Sequence, residues 1–139
     1  MPGFWRLLAL IVAAASAGVF GHFLLFTLLP LDPMFGGPGL WAFSSVVTWL
    51  VLGKQVANAS TVRIVGVGVL SSVVGAFILV CTFTVSTWAM TGRIPGVTPK
   101  TFLVFPFVGP MLTAPISLPL GVCMSFIANS ALSTPAEDR

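Results

Sequence analysis

Long apolar stretches, separated by short polar or proline-bearing breaks, organise this chain of 139 residues. Runs such as Leu7-Leu8-Ala9-Leu10-Ile11-Val12 show no period of two, so strands of a membrane barrel, which alternate lipid-facing and lumen-facing residues, are a poor fit. A bilayer core about 30 Å thick needs about 20 helical residues at about 1.5 Å each. The stretches that approach or exceed this length are 7–29, 39–53, 64–90 and 102–127. The pattern predicts an all-α integral membrane protein with four transmembrane helices in one domain, 1–132, followed by a polar C-terminal tail, 133–139.

The second stretch is the shortest, and its extension to Val56 would leave Lys54 reaching for the headgroups. Trp5, Trp41 and Trp88 fall at proposed helix ends, and Trp49 near the far end of the second span, as expected where indole sits half in water. At the N-terminus, Ala15-Ser16-Ala17 resembles the cleavage site of a secretory signal. The apolar run continues past it to Leu29, so an uncleaved first helix is expected.

Two architectural features follow. At an offset of 57 residues, Gly18, Phe20, Phe26, Thr27, Pro38 and Gly39 meet Gly75, Phe77, Phe83, Thr84, Pro95 and Gly96. This is the pattern of two duplicated helical hairpins, which would share one orientation in the membrane. Small residues four apart, Ala13, Ala17 and Gly21 in the first span and Gly68, Ser72 and Ala76 in the third, allow close backbone approach and predict contact between those helices.

Composition sharpens the class. Apolar residues make up 57% of the chain and charged residues 6%, outside the range of soluble domains. Arg6, Lys54, Arg63 and Arg139 fall on one side of the predicted topology and only Arg93 and Lys100 on the other. Basic residues favour the cytoplasmic side, so both termini are placed inside. The net charge of +3 then reflects orientation and anionic lipid, and no nucleic-acid partner is implied. Asn58-Ala59-Ser60 matches a glycosylation acceptor, but on a predicted cytoplasmic turn it reads as the start of a helix.

Candidate chemistry is sparse. His22 is an ionisable group inside a span, which makes it a candidate functional residue. It would serve as a cofactor ligand to a haem or chlorophyll-type metal, or as a proton relay, although a plain hydrogen bond to a neighbouring helix carbonyl is the commoner use of such a residue. Asp32, between Pro30 and Pro33, reads as a turn residue. Cys81 and Cys123 differ in predicted depth by roughly 16 Å, too far for a disulfide, which needs Cα atoms within about 7 Å. Two free, buried thiols are expected. No metal site is expected from one His and two Cys at unrelated spacings.

The fourth span carries Pro106, Pro110, Pro115 and Pro119, each of which removes a backbone donor, so a kinked or broken helix is expected. Pro110, Thr113, Pro115 and Ser117 are the candidate substrate path of such a helix. The hydroxyls of Thr84, Ser86, Thr87 and Thr91 beside Cys81 could line a pore, but bonds to carbonyls four residues back explain them more simply.

There is no paired carboxylate, nucleophile triad or phosphate loop, so catalysis is not expected and no cofactor is specified. The expected function is that of an accessory or structural subunit of a larger membrane complex. Such a subunit would pack its twelve Phe against membrane lipid, partner subunits or hydrophobic cofactors. The alternative is a small oligomeric channel or transporter using the proline-bearing fourth helix.

Overall fold

The computed structural model describes residues 2–28, 37–93 and 114–134, with single positions between 100 and 111. Among the described residues, four helices make up the fold: α1 (Pro2–Leu28), α2 (Pro38–Val56), α3 (Thr61–Thr91) and α4 (Ala114–Leu132). Three of them, α1, α3 and α4, are long and apolar enough to cross a bilayer, as in a membrane protein. At about 1.5 Å per residue, α1 is about 40 Å long and α3 about 46 Å, both longer than the hydrocarbon core.

Local chemistry accounts for the helix boundaries. Pro38 opens α2, where its missing N–H costs nothing. The helix runs on to Val56 with Lys54 exposed in its last turn, a favourable place for a cation. Asn58 takes φ +54° in the α2–α3 turn, a left-handed conformation that Asn tolerates better than most residues. Gly92, at φ +67°, closes α3 by donating its N–H to the Trp88 carbonyl, the ordinary left-handed stop. The last helix reaches Leu132, five residues beyond the expected end at Ile127. The Asn129 amide explains the extension, because it donates to the Val56 carbonyl of α2 and so holds a polar residue inside the helix.

Helix order departs from the sequence expectation. α1 packs against α2 and α4, α3 packs against α2 and α4, and α2 and α4 also touch each other; α1 and α3 do not meet. The small-residue faces found on α1 and α3 are used separately. A Cβ on Gly18 would lie 2.5 Å from the Trp41 carbonyl oxygen and 2.9 Å from the Ala42 Cα, both on α2. A Cβ on Gly68 would lie 2.7 Å from the Val122 Cα on α4. Gly21 faces Leu120 of α4, and the Ser72 hydroxyl donates to the Ser117 carbonyl of α4.

α2 is the helix that is not apolar enough to count as a span, and α4 is the least apolar of the other three. They take the two positions with three helical neighbours each, while α1 and α3 stand at the outer corners.

Packing and hydrogen bonding concentrate at one end of the bundle. The core of Leu10, Ala14, Trp49, Leu52, Val56, Ile64, Val67, Met124 and Ala128 joins the start of α1, the end of α2, the start of α3 and the end of α4. The same end is tied by Arg6 donating to the Ser133 carbonyl, by the Asn58 N–H donating to the Ser133 hydroxyl, and by Asn129. Ser133, expected in a loose polar tail, is thus part of this latch. Trp49, expected at an interface, is 4% exposed in the core. Its eight-residue spacing from Trp41 places it deep in a helix with neighbours on three sides, where a large apolar ring is better used as filling.

The residues equivalent to α2 at the 57-residue offset, 95–113, lie mostly outside the described residues. The repeat-related glycines of α1 and α3 have different surroundings: Gly18 meets α2 backbone, whereas Gly75 faces the Thr48 side chain.

Candidate functional site

Polar side chains divide between the two halves of the bundle. In the tied half the buried ones find partners. In the other half, near the end of α1 and the start of α2, several buried polar atoms have none. His22 is 8% exposed and Ser44 3% exposed. Both ring nitrogens of His22, the Trp41 indole nitrogen and the Ser44 hydroxyl are enclosed without a hydrogen-bond partner, as is the Ser117 hydroxyl near the start of the described part of α4.

The sequence brings the first three together in two steps. Gly18, lacking a side chain, lets α1 approach the α2 backbone at Trp41 and Ala42. His22 follows Gly18 by one helical turn on the same face, which sets its ring 5.5 Å from the Trp41 ring at 75°. Trp41 and Ser44 are three residues apart on α2 and so share a face. Two further rings from α1 complete the setting of the imidazole, Phe23 at 5.4 Å and 90° and Phe26 at 4.6 Å and 54°. Phe26 also meets Trp41 edge-on at 6.0 Å.

His22 therefore does not make the expected hydrogen bond to a neighbouring helix carbonyl. What surrounds this imidazole is aromatic. An unpartnered buried polar atom costs about 1–3 kcal/mol, and apolar lipid offers nothing to reduce that cost. Four such atoms at one seam form the most demanding polar arrangement among the described residues. A metal macrocycle could reach an imidazole nitrogen only by displacing the groups that enclose it.

Pro110 and Thr113 lie outside the described residues. Pro115 is exposed and Ser117 half-buried on α4, two positions apart and so on opposing faces. Pro119 lies inside α4. The Ser117 carbonyl accepts from Ser72 at 3.3 Å, while its hydroxyl is one of the unpartnered atoms.

Other expectations on hydroxyls and thiols resolve simply. Thr84 and Thr91 donate to the carbonyls of Val80 and Thr87, four residues back, and Thr48 does the same to Ser44. Both cysteines are free, but Cys123 is exposed and Cys81 only half-buried, so neither is the enclosed thiol expected. Among the described residues no group of three or more His, Cys, Asp or Glu is assembled.

Trp41 and Ser44 were not singled out as site residues by sequence. Trp41 read as an interfacial anchor, and nothing in the sequence drew Ser44 to notice. The available signal was Gly18 one turn before His22, a combination that brings a polar ring against the next helix. No family model, curated protein or solved structure matches the chain.

Proposed function

We propose that this chain is a non-catalytic accessory subunit of a larger membrane protein complex, with both termini on the cytoplasmic side. The observation that carries the reading is the outward face of the bundle. Phe20 and Phe23 on α1, Phe43 on α2, and Phe77, Val85 and Trp88 on α3 are all exposed, giving a lateral surface of large apolar groups on a chain with only three acidic residues in all. Such a surface suits burial against lipid, partner helices or hydrophobic cofactors. The orientation is supported by Arg6, Lys54 and Arg63, which share the tied end of the bundle with the start of α1 and the end of α4.

The test is purification from the protein's own membrane in mild detergent, followed by native mass spectrometry. The accessory reading expects unrelated membrane subunits in fixed ratio with this chain. A homo-oligomer or a lone monomer as the only species recovered would contradict it.

The second reading, a small oligomeric channel or transporter, has one observation in its favour: the unpartnered polar atoms of His22, Trp41, Ser44 and Ser117 all lie in the same half of the bundle. Its test is solute or ion flux in liposomes. Flux that falls in Ser117→Ala and His22→Phe variants would support it, and flux equal to that of empty liposomes would count against it.

A further inference from the structure

The enclosed atoms at the α1–α2 seam are unsatisfied in a way that specifies what would satisfy them. The geometry points to a small buried binding site formed by His22, Trp41 and Ser44 for an uncharged ligand that presents a hydrogen-bonding oxygen. Two sources offer that chemistry: a water molecule, and the carbonyl of a quinone dissolved in the membrane.

Three observations support the site. His22 and Ser44 are each more than nine-tenths buried, come from different helices, and carry polar atoms without partners. Trp41, whose N–H is also enclosed and unpartnered, packs its ring on His22 and shares a helix face with Ser44. The approach at Gly18 holds the two helices together beside them, so the arrangement is built by backbone contact and not by a mobile side chain.

The ligand class follows from donors and acceptors. An uncharged imidazole has one of each, indole has a donor only, and a hydroxyl has both. Three donors stand open, and the indole N–H can be met only by an acceptor, so the ligand must accept hydrogen bonds, which an oxygen lone pair does. Charge is disfavoured because the rings against His22 are Phe23, Phe26 and Trp41, and none of them is a counter-ion. Phe23 touches His22 edge-on while standing exposed on the outside of α1. It borders the site on the outer side of α1.

The test uses the full-length protein in nanodiscs of synthetic lipid free of quinone, with the indole nitrogens labelled with ¹⁵N and Trp41 assigned by its loss in Trp41→Phe. A magnetisation-transfer cross-peak between the Trp41 indole N–H and water supports the site with water as its ligand. A saturable shift of the Trp41 signal on adding decyl-benzoquinone supports it with the carbonyl as its ligand, in contrast to the unsaturable drift expected of exposed Trp5 and Trp88. Either signature should be lost in His22→Phe, or in Ser44→Ala should the first variant fail to fold. A Trp41 signal with neither a water cross-peak nor a saturable shift would overturn the proposal.

Discussion

Gly68 of α3 and Gly121 of α4 meet backbone to backbone. A Cβ on Gly68 would stand 3.0 Å from the Gly121 carbonyl oxygen and 2.7 Å from the Val122 Cα, and a Cβ on Gly121 would fall on the Gly68 carbonyl. Ser71 and Ser125 flank the contact, each bonding a carbonyl three residues back on its own helix.

Because backbone cannot move aside as a flexible side chain can, Gly68→Ala and Gly121→Ala should each destabilise the bundle by about 1–3 kcal/mol, against a helix-propensity gain of up to about 1 kcal/mol. Gly66→Ala, two residues from Gly68 with nothing within 4 Å of its Cβ position, should be neutral or slightly stabilising. Unfolding titrations in mixed micelles of mild detergent and SDS measure the three side by side.

The α1–α2 seam should respond in the same way. Gly18→Ala places a methyl group against the Trp41 carbonyl, and the expected result is a loss of about 1–3 kcal/mol with faster hydrogen exchange of the Trp41 indole N–H. Gly39→Ala, which meets nothing within 4 Å, is the control on α2.

At the tied end, Asn129→Leu removes the bond to the Val56 carbonyl. Interhelical hydrogen bonds in membranes average about 0.6 kcal/mol and reach about 1.7 kcal/mol. A loss near the average of that range is expected, since the Val56 carbonyl still accepts the Ala59 N–H when the Asn129 amide is removed. Ser133→Ala should cost less, since its contacts lie at the bundle end. Asn58→Val, at φ +54°, should destabilise the turn more than Asn58→Gly does. The same titration reads all four.

Much of this fold was legible in the chain. The limits of α3 to within three residues and the back-bonded threonines follow from apolar length and from hydroxyl chemistry, whereas α1 begins at Pro2, five residues before the expected start, and α2 runs to Val56, three residues past the expected 53. The pairing of small faces was not, because Ala13, Ala17 and Gly21 on α1 and Gly68, Ser72 and Ala76 on α3 announce close approach without naming the partner. The partner is set by the whole bundle, in which α2 and α4 stand between α1 and α3. Trp49 was misread because indole serves equally as interfacial anchor and as core filling, and hydropathy does not separate the two. The candidate site was half legible: His22 stood out as an ionisable group within a span, but Trp41 and Ser44 join it only through the approach at Gly18.

Cysteine accessibility follows from the same packing. Cys123 is exposed and Cys81 half-buried, both as free thiols. Alkylation by a membrane-permeant maleimide in mild detergent should modify Cys123 several-fold faster than Cys81, and mass spectrometry of the unreduced protein should show no mass loss from a Cys81–Cys123 bond.

The glycine seams, the latch and the enclosed polar site all depend on α2 and α4 standing between α1 and α3. Oxidative cross-linking in a Cys81→Ala, Cys123→Ala background tests this most directly. The pair Ser72→Cys with Ser117→Cys, across the α3–α4 seam, should cross-link in the membrane. The pair Ala17→Cys with Ser72→Cys, which joins the small faces of α1 and α3, should not. Efficient cross-linking of the second pair with none of the first would contradict the arrangement.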